Sequence, residues 1–229
     1  KVHNKLIQLF EVNFPEIKIY DEETIIPSDQ YEKYISLGSL CKFYRNDISD
    51  FKKSEFKSFI KPKNPINLDK YFSKNKLNIG ISWFSFAKQT GLKRSLAIKE
   101  ISELIGNDKV NFINLQYGDV RNQIQRIKQK TGKIINTVPE VDLSNDIGLI
   151  SNIISKCDLV ITIDNTLAHL SGSLGQKTWV ILPYSADWRW FENIDRSLWY
   201  QNTSLFRQGP SRTWTEIISQ LKIKINQLI

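Results

Sequence analysis

Apolar residues in the larger, C-terminal part of the chain occur in short continuous runs separated by amphipathic segments. The runs predict strands at 77–83, 110–115, 133–136, 158–164 and 177–182. Helical periodicity predicts helices at 97–105, 120–130, 146–157, 166–174 and from 213 to about 226. Strands that are apolar throughout and alternate with helices are typical of a buried parallel sheet. The sequence therefore predicts an α/β fold with a Rossmann-like parallel sheet and helices on both faces.

The first sixty residues have a less regular pattern. Their apolar positions predict a helix over 2–14 and short strands at 17–20 and 34–38. Prolines, asparagines and lysines between 61 and 76 are typical of a linker. We place a domain boundary near residue 65, which divides the chain into 1–65 and 66–229. The chain contains no Met and begins just before a predicted helix, so we expect it to be a fragment that lacks an upstream part.

The formal charge of +8 is compatible with nucleic acid, a membrane surface or an anionic small molecule as partner. Lysine is spread along the whole chain, which indicates a charged solvated surface, and we expect no nucleic-acid partner. The densest basic run alternates with Phe51, Phe56 and Phe59, a pattern that also suits an amphipathic segment with a buried apolar face. Its lysines are Lys52, Lys53, Lys57, Lys61 and Lys63.

The two cysteines, Cys41 and Cys157, are far apart and each lies in an apolar context. They form neither a disulfide framework nor a metal-binding spacing. The sequence has no apolar run of membrane-spanning length and no recognisable signal peptide. We therefore expect a cytoplasmic protein without a transmembrane segment.

Polar residues follow the strand predicted at 158–164, where a helix starts within one or two residues. Ligands of open parallel sheets bind outside the carboxyl ends of the strands, and helix starts attract phosphates. Asn165 and Thr166 supply donors, and His169 lies one turn into the helix. Asp164 is negative and suits a ribose or sugar hydroxyl better than a phosphate. The alternative is that Asp164 or Asn165 merely caps the helix while His169 packs in the core.

The loop after the first predicted sheet strand is rich in hydroxyl groups and cations. Its candidate ligands are Trp83, Ser85, Lys88 and Arg94, and an arginine can bind a diphosphate with two parallel hydrogen bonds. A solvated basic loop is the alternative.

Two further candidates follow other strands. Gln116 can hydrogen-bond a base or a ribose, or simply belong to a turn closed by Gly118. Asp187 lies in a tryptophan-rich stretch and forms a possible ligand-facing pair with Arg189. The surrounding tryptophans suit either ligand stacking or core packing, and we favour packing for Trp190 and Trp199.

Several other chemistries have no support in the sequence. It contains neither a G-x-G-x-x-G fingerprint nor a phosphate-binding P-loop, so no dinucleotide cofactor is predicted. The two histidines, His3 and His169, give neither a metal site nor a Ser–His–Asp triad. We expect no cofactor and no metal.

The segment 157–175 resembles the nucleotide-sugar motif of glycosyltransferase family 9, the heptosyltransferase-like group. Segments that follow it resemble a bacterial subgroup in which this domain comes after tetratricopeptide repeats; they are 179–183, 187–190, 199–200 and 205–208. The match spans roughly residues 77–226. Position 165 departs from the family, which more often has a small hydroxyl residue there.

The resemblance implies a GT-B fold, with 66–229 as the C-terminal lobe and 1–65 as a truncated tail of the N-terminal acceptor lobe. It implies a metal-independent glycosyltransferase that uses a nucleotide-sugar donor and a glycan, lipid-linked or protein acceptor. Arg94, Asn165 and Thr166 would bind the phosphates, and Asp164 and His169 would line the sugar or ribose side.

By the same resemblance, Gln116 and the loop 83–88 would border the nucleotide. A general base is expected from the missing lobe, so the fragment alone is expected to be inactive. The alternatives are a non-catalytic GT-B-like module that binds a nucleotide or docks a partner, and a nucleotide-sugar epimerase.

Overall fold

The computed structural model describes residues 1–52, 58–62 and 65–229. Its strands form one parallel sheet, with six strands in the described part of the chain, in the order β3-β2-β1-β4-β5-β6. They are β1 (Leu77–Ser82), β2 (Val110–Asn114), β3 (Ile135–Asn136), β4 (Leu159–Ile163), β5 (Thr178–Leu182) and β6 (Thr203–Arg207). The predicted α/β fold with a Rossmann-like parallel sheet is confirmed.

The described α-helices connect and cover these strands. They are α1 (Asn4–Asn13), α2 (Cys41–Tyr44), α3 (Ile48–Lys52), α4 (Gly91–Arg94), α5 (Ile98–Leu104), α6 (Arg121–Thr131), α7 (Ile147–Lys156), α8 (Thr166–Ser173) and α9 (Thr215–Asn226). Helix α7 is capped by Asp146, whose carboxylate accepts from the Leu149 N–H at 2.8 Å.

The core lies on both faces of the sheet because the central strands are apolar at every position. All five residues of β4 are buried, and alternate side chains point to opposite faces. Ile161 and Ile163 pack against α5, α6 and α9, while Val160 packs against α1, α7 and α8. The helices on both faces that the sequence predicted are therefore confirmed.

The N-terminal region differs from its predicted secondary structure. Residues 17–20 do not form a strand of the sheet; an isolated parallel bridge joins Val2 to Asp21 instead. Residues 34–38, also predicted as a strand, lead into a 3₁₀ turn at Leu37–Leu40. Helix α1 packs on α7 and buries Leu9, so this region shares a core with the sheet.

Two predictions from the sequence, on the basic run and on the domain boundary, stay predictions. Lys53, Phe56, Lys57 and Lys63 of the basic run lie outside the described residues. The division of the chain at residue 65 into two lobes stays a prediction.

Helix α8 packs closely on the segment before β6, and Gly172 makes this possible. A β-carbon at Gly172 would lie 2.4 Å from Tyr200 Cγ and 2.9 Å from Tyr200 Cβ, so the tyrosine could not stay in place. We expect Gly172→Ala to lower the free energy of unfolding by about 1–3 kcal/mol, because overpacking outweighs the better helix propensity of alanine. Urea denaturation measures this loss.

Gly106→Ala is the matched control for this substitution. Nothing in the described part of the chain lies within 4 Å of a β-carbon at Gly106, so its stability should change by less than about 0.5 kcal/mol. Equal effects of the two substitutions would contradict the close packing of Gly172 on Tyr200.

Candidate functional site

The sheet topology places a crevice between β1 and β4. Along the chain β1 is followed by β2 and β3 on one side, and β4 by β5 and β6 on the other, so the winding direction reverses there. β1 and β4 pair in register, with Ser82 opposite Thr162 at their carboxyl ends. Ligands of open α/β sheets bind at this kind of position.

A cavity of about 1080 Å³ opens at these carboxyl ends. Seven of the ten sequence-predicted site residues line it: Ser85, Arg94, Asp164, Asn165, Thr166, His169 and Asp187. They come from the loop after β1, from the β4–α8 junction and from the segment after β5. The fold therefore brings residues up to about a hundred positions apart to one cleft; their roles as ligands stay predictions.

Asn165 joins the ends of the two strands. Its Oδ1 accepts from the Leu167 N–H at 2.9 Å, which caps α8, and from the Thr162 hydroxyl at 3.0 Å. Its Nδ2 donates to Ser82 Oγ at 3.0 Å. Asparagine is among the best N-cap residues, and here it also fixes the start of α8 at the crevice. Thr166, the first residue of α8, is exposed on the cavity wall.

Arg94 ends the short helix α4, which the loop after β1 holds in place. The Ser95 hydroxyl donates to Gly91 O at 2.7 Å and accepts from the Ser85 N–H at 2.9 Å. A β-carbon at Gly91 would lie 2.2 Å from Ser85 O, so this close approach requires glycine. These contacts fix the backbone from which the Arg94 side chain extends.

The Arg94 guanidinium enters the cavity beside Asp164. Its Nη1 lies 3.6 Å from Asp164 Oδ2, and its side chain is about 22% exposed. Within the described residues, the buried Nε of Arg94 has no hydrogen-bond partner. A buried donor without a partner costs free energy, so the hydrogen-bonding capacity of the guanidinium is not fully used within the described residues.

Asp164 is held from inside the protein. It is about 5% exposed, and its Oδ1 accepts from the indole N–H of Trp190 at 2.7 Å. Its other oxygen faces Arg94. The carboxylate therefore offsets the arginine charge and links the loop after β1 to the segment after β5.

His169 forms part of the cavity wall, and its ring contacts two other aromatic rings. It stacks on Trp190 with ring centroids 5.0 Å apart, and its Nδ1 lies 3.1 Å from Tyr200 Oη. Burial is the main reason that the pKa of His169 is lowered, although the Asp164 carboxylate opposes this effect. Burial likewise raises the pKa of Tyr200. Both side chains are therefore neutral at pH 7.

The lowered pKa of His169 makes the stability of the fold depend on pH. Below the unfolded pKa of about 6.5, the unfolded chain binds a proton at this position more readily than the folded protein does. The contribution of His169 to the free energy of unfolding is therefore fully present above that pH and is lost as the pH falls below it. We expect the urea midpoint to fall more between pH 7.5 and 5.5 in the wild type than in His169→Asn.

The control is Gln125→Asn, an exposed substitution on α6 that changes no titratable group, and it should keep the wild-type pH profile. A His169→Asn profile that parallels the wild type would contradict the role of His169.

Trp83 and Gln116 lie in the core beneath the site, and their assignment to the nucleotide border stays a prediction. Both are fully buried. The Gln116 Oε1 accepts from the backbone N–H groups of Trp83 at 2.9 Å and Phe84 at 2.7 Å. The Trp83 indole donates to Gln123 Oε1 at 2.8 Å. Both residues therefore shape the loop after β1.

Lys88 is exposed on that same loop and does not line the cavity. The loop turns back into α4 through the bond from the Gly91 N–H to Ala87 O at 2.8 Å, and the cavity wall continues from Ala87 to Arg94. The assignment of Lys88 as a donor ligand stays a prediction.

Other cavity residues were not identified from the sequence as ligands. They are Phe10, Leu37, Gly38, Cys41, Phe86, Ala87, Tyr117, Trp188, Arg189, Trp199 and Tyr200. Phe86 and Ala87 belong to the loop 83–88 that was expected to border the nucleotide, and Arg189 was considered beside Asp187. The first four belong to the irregular N-terminal region and reach the cavity only through the packing of that region on the sheet. For the tryptophans, stacking and packing were both open, with packing favoured for Trp199.

Neither a metal cluster nor a membrane span is found in the described residues. Within 1–52, 58–62 and 65–229, no group of three or more His, Cys, Asp or Glu side chains has the arrangement of a metal site. None of the helices in those ranges has the length and the apolar character that crossing a bilayer requires.

Comparisons with known proteins give distant similarities. No protein-family model matches the chain. Protein FlbA of Caulobacter vibrioides is 24% identical over 193 residues, which cover 76% of this chain and 32% of FlbA. The chain thus spans about a third of the length of this curated relative.

Two solved structures of glycosyltransferases are among the structural neighbours. A glycosyl transferase family 9 structure from Veillonella parvula is 14% identical with a TM-score of 0.45, over 67% of this chain and 40% of that one. The E. coli heptosyltransferase WaaC with ADP is 12% identical with a TM-score of 0.48, over 67% of this chain and 46% of that one. The chain spans less than half of either.

Proposed function

We propose that this chain contains the nucleotide-sugar-binding lobe of a metal-independent glycosyltransferase with a GT-B fold. The observation that carries the proposal is the convergence of Arg94, Asn165 and Thr166 on one cavity at the β1–β4 crevice. The resemblance of segment 157–175 to the nucleotide-sugar motif of glycosyltransferase family 9 supports it. Residues 66–229 would form the donor lobe, and 1–65 the tail of the acceptor lobe.

The diphosphate would lie between Arg94 and the start of α8. The Arg94 guanidinium supplies a positive charge, and the helix start supplies the positive end of the helix dipole. Asp164 lies on the inner side of Arg94 and limits the approach of a second anion there. The protein would therefore offset the diphosphate charge without a metal ion.

The proposed reaction is the displacement of a nucleoside diphosphate by an acceptor hydroxyl. The acceptor oxygen bonds to the anomeric carbon, the bond from that carbon to the diphosphate oxygen breaks, and the nucleoside diphosphate leaves. Arg94 and the α8 N-terminus would stabilise the negative charge that develops on the leaving oxygen. The acceptor proton passes to a general base, which we propose belongs to the preceding acceptor lobe.

Calorimetric titration of the chain with ADP, GDP, UDP and CDP tests the proposal. We expect one of them to bind, and Asn165→Asp to weaken that binding by at least about tenfold, since it places a carboxylate near the diphosphate. Aspartate keeps the helix cap but loses the Nδ2 donor to Ser82, so circular dichroism checks that the variant is folded before the titration.

Gln125→Glu provides a control with the same change in charge on the exposed side of α6. It should bind the nucleotide as the wild type does. If no nucleoside diphosphate binds, either to this chain or to any longer protein that contains it, the donor-site proposal is wrong. Nucleotide binding without sugar transfer by such a longer protein would favour a non-catalytic nucleotide-binding module.

A further inference from the structure

The cavity has aromatic groups on both sides of its charged centre. Phe86 and Tyr117 follow β1 and β2, with ring centroids 5.4 Å apart. Trp188 and Trp199 lie between β5 and β6, with ring centroids 6.3 Å apart. In the strand order these two groups flank the β1–β4 crevice from opposite directions, so a ligand centred on Arg94 has an aromatic surface on either side.

Trp188 is exposed and yet held in a defined position. It is about 60% exposed, and the Arg189 guanidinium lies over its ring at 4.9 Å from the centroid. The Trp199 ring is nearly perpendicular to it, at 80°, and the Trp199 indole donates to Arg189 O at 2.9 Å. Arg189 lies over one face of Trp188, and more than half of the residue stays exposed.

Asp187 fixes the same turn and adds a carboxylate beside the ring. It accepts from the Arg189 N–H at 3.1 Å and from Arg189 Nη1 at 2.7 Å. The indole is thus positioned before any ligand arrives, and a ligand that stacks on it does not have to order it first. An exposed aromatic face beside acceptor oxygens suits a partner with an apolar face and hydroxyl donors.

We infer that Trp188 is the stacking platform for a pyranose ring, with Asp187 accepting a hydrogen bond from one of its hydroxyls. This inference deepens the proposed function and rests on it. The aromatic pair on the other side, Phe86 and Tyr117, has no carboxylate in its part of the cavity wall, and that side suits the base. On the Trp188 side, both bonds from Arg189 use Asp187 Oδ1, so the Oδ2 oxygen can accept from a sugar hydroxyl.

Two sources of the pyranose ring share this chemistry, namely the sugar of the donor and a saccharide acceptor. Calorimetry measures the affinity for two kinds of ligand: the nucleoside diphosphate that binds in the titration above, and the commercial sugars of that nucleotide. The proteins are the wild type, Trp188→Ala, Trp188→Tyr and Phe86→Ala. The same four proteins are applied to an array of immobilised glycans, without nucleotide. Circular dichroism checks that each variant is folded.

For a donor sugar, Trp188→Ala should weaken nucleotide-sugar binding about three- to tenfold and leave the free nucleoside diphosphate unchanged. For an acceptor saccharide, it should instead remove the glycan signal and leave both nucleotides unchanged. In either case Trp188→Tyr should restore most of the binding, because it keeps a ring. Phe86→Ala should weaken the free nucleotide and the nucleotide sugar equally.

Two outcomes would overturn the inference while leaving the proposed function intact. One is an equal loss of nucleotide and nucleotide-sugar binding in Trp188→Ala, which would place the base on this ring. The other is that the nucleotide binds but the affinity for every ligand tested is unchanged when Trp188 is substituted. Glycan binding that depends on Trp188, without any nucleotide binding, would keep the platform and reject the donor site. The absence of all binding would reject both.

Discussion

Replacing Arg94 with alanine should weaken nucleoside diphosphate binding by about 10- to 100-fold, because a hydrogen bond to a charged group contributes about 1.5–3 kcal/mol. The side chain reaches the cavity with one buried N–H that has no partner in the described residues. Its loss would also leave the Asp164 carboxylate, which lies 3.6 Å from the guanidinium, without its cationic neighbour. Isothermal calorimetry of wild type and variant measures the effect.

Two further variants separate the charge of Arg94 from its geometry. Arg94→Lys keeps the charge but loses the planar pair of donors, so its affinity should fall between those of the wild type and the alanine variant. Asp164→Asn in the Arg94→Ala background should recover part of the affinity, because it removes the unopposed carboxylate. Wild-type affinity in Arg94→Ala would show that the diphosphate does not lie beside this residue.

Trp190→Ala should be the most destabilising of these substitutions, with a loss of about 3–5 kcal/mol in the free energy of unfolding from the cavity it creates. Trp190 is fully buried and centres a cluster that contains Ala168, Val180, Leu182 and Leu205. Its indole also donates to Asp164, and its ring stacks on His169. Because small domains are stable by only about 5–15 kcal/mol, urea denaturation should show a large shift of the midpoint.

The contribution of the Trp190–Asp164 hydrogen bond can be measured without opening a large cavity. Trp190→Phe keeps a buried ring but removes the donor, so about 1–3 kcal/mol should be lost through the unpaired carboxylate oxygen. Trp179→Phe, in the core on the other face of the sheet, controls for the smaller ring. A double-mutant cycle with Asp164→Ala, which removes the acceptor, should give a coupling above about 0.5 kcal/mol. Additive effects would show that the bond contributes nothing.

The central strands and the position of the cleft could be predicted because their signals are local. Strand β4 is apolar at each of its five positions, and such a run between two helices has few alternatives to a buried parallel strand. Asn165 at its end was expected at the helix start, and it is the N-cap of α8. Parallel strands bring their carboxyl ends to one edge, so residues after different strands were expected to meet.

The prediction failed where the outcome depends on partners distant in sequence. Strand β6 was not assigned, because its five residues follow an irregular segment and gain their register only by pairing with β5, Thr203 opposite Thr178. Residues 17–20 have an apolar pattern suited to a strand but find no place in the sheet. The contacts of Gln116 also depend on distant residues, because its Oε1 accepts from the Trp83 and Phe84 N–H groups of the loop after β1.

The sequence by itself determined the α/β class, the central strands and the group of polar residues that follows β4, because these depend on periodicity and on neighbours a few positions apart. Tertiary structure alone decided which of the candidates reach the cavity. Trp83 and Trp188 have the same side chain in comparable loops, yet one is fully buried and the other mostly exposed. Burial depends on which distant elements pack over a residue. Trp188, although Arg189 and Trp199 pack against it, stays mostly exposed at the cleft.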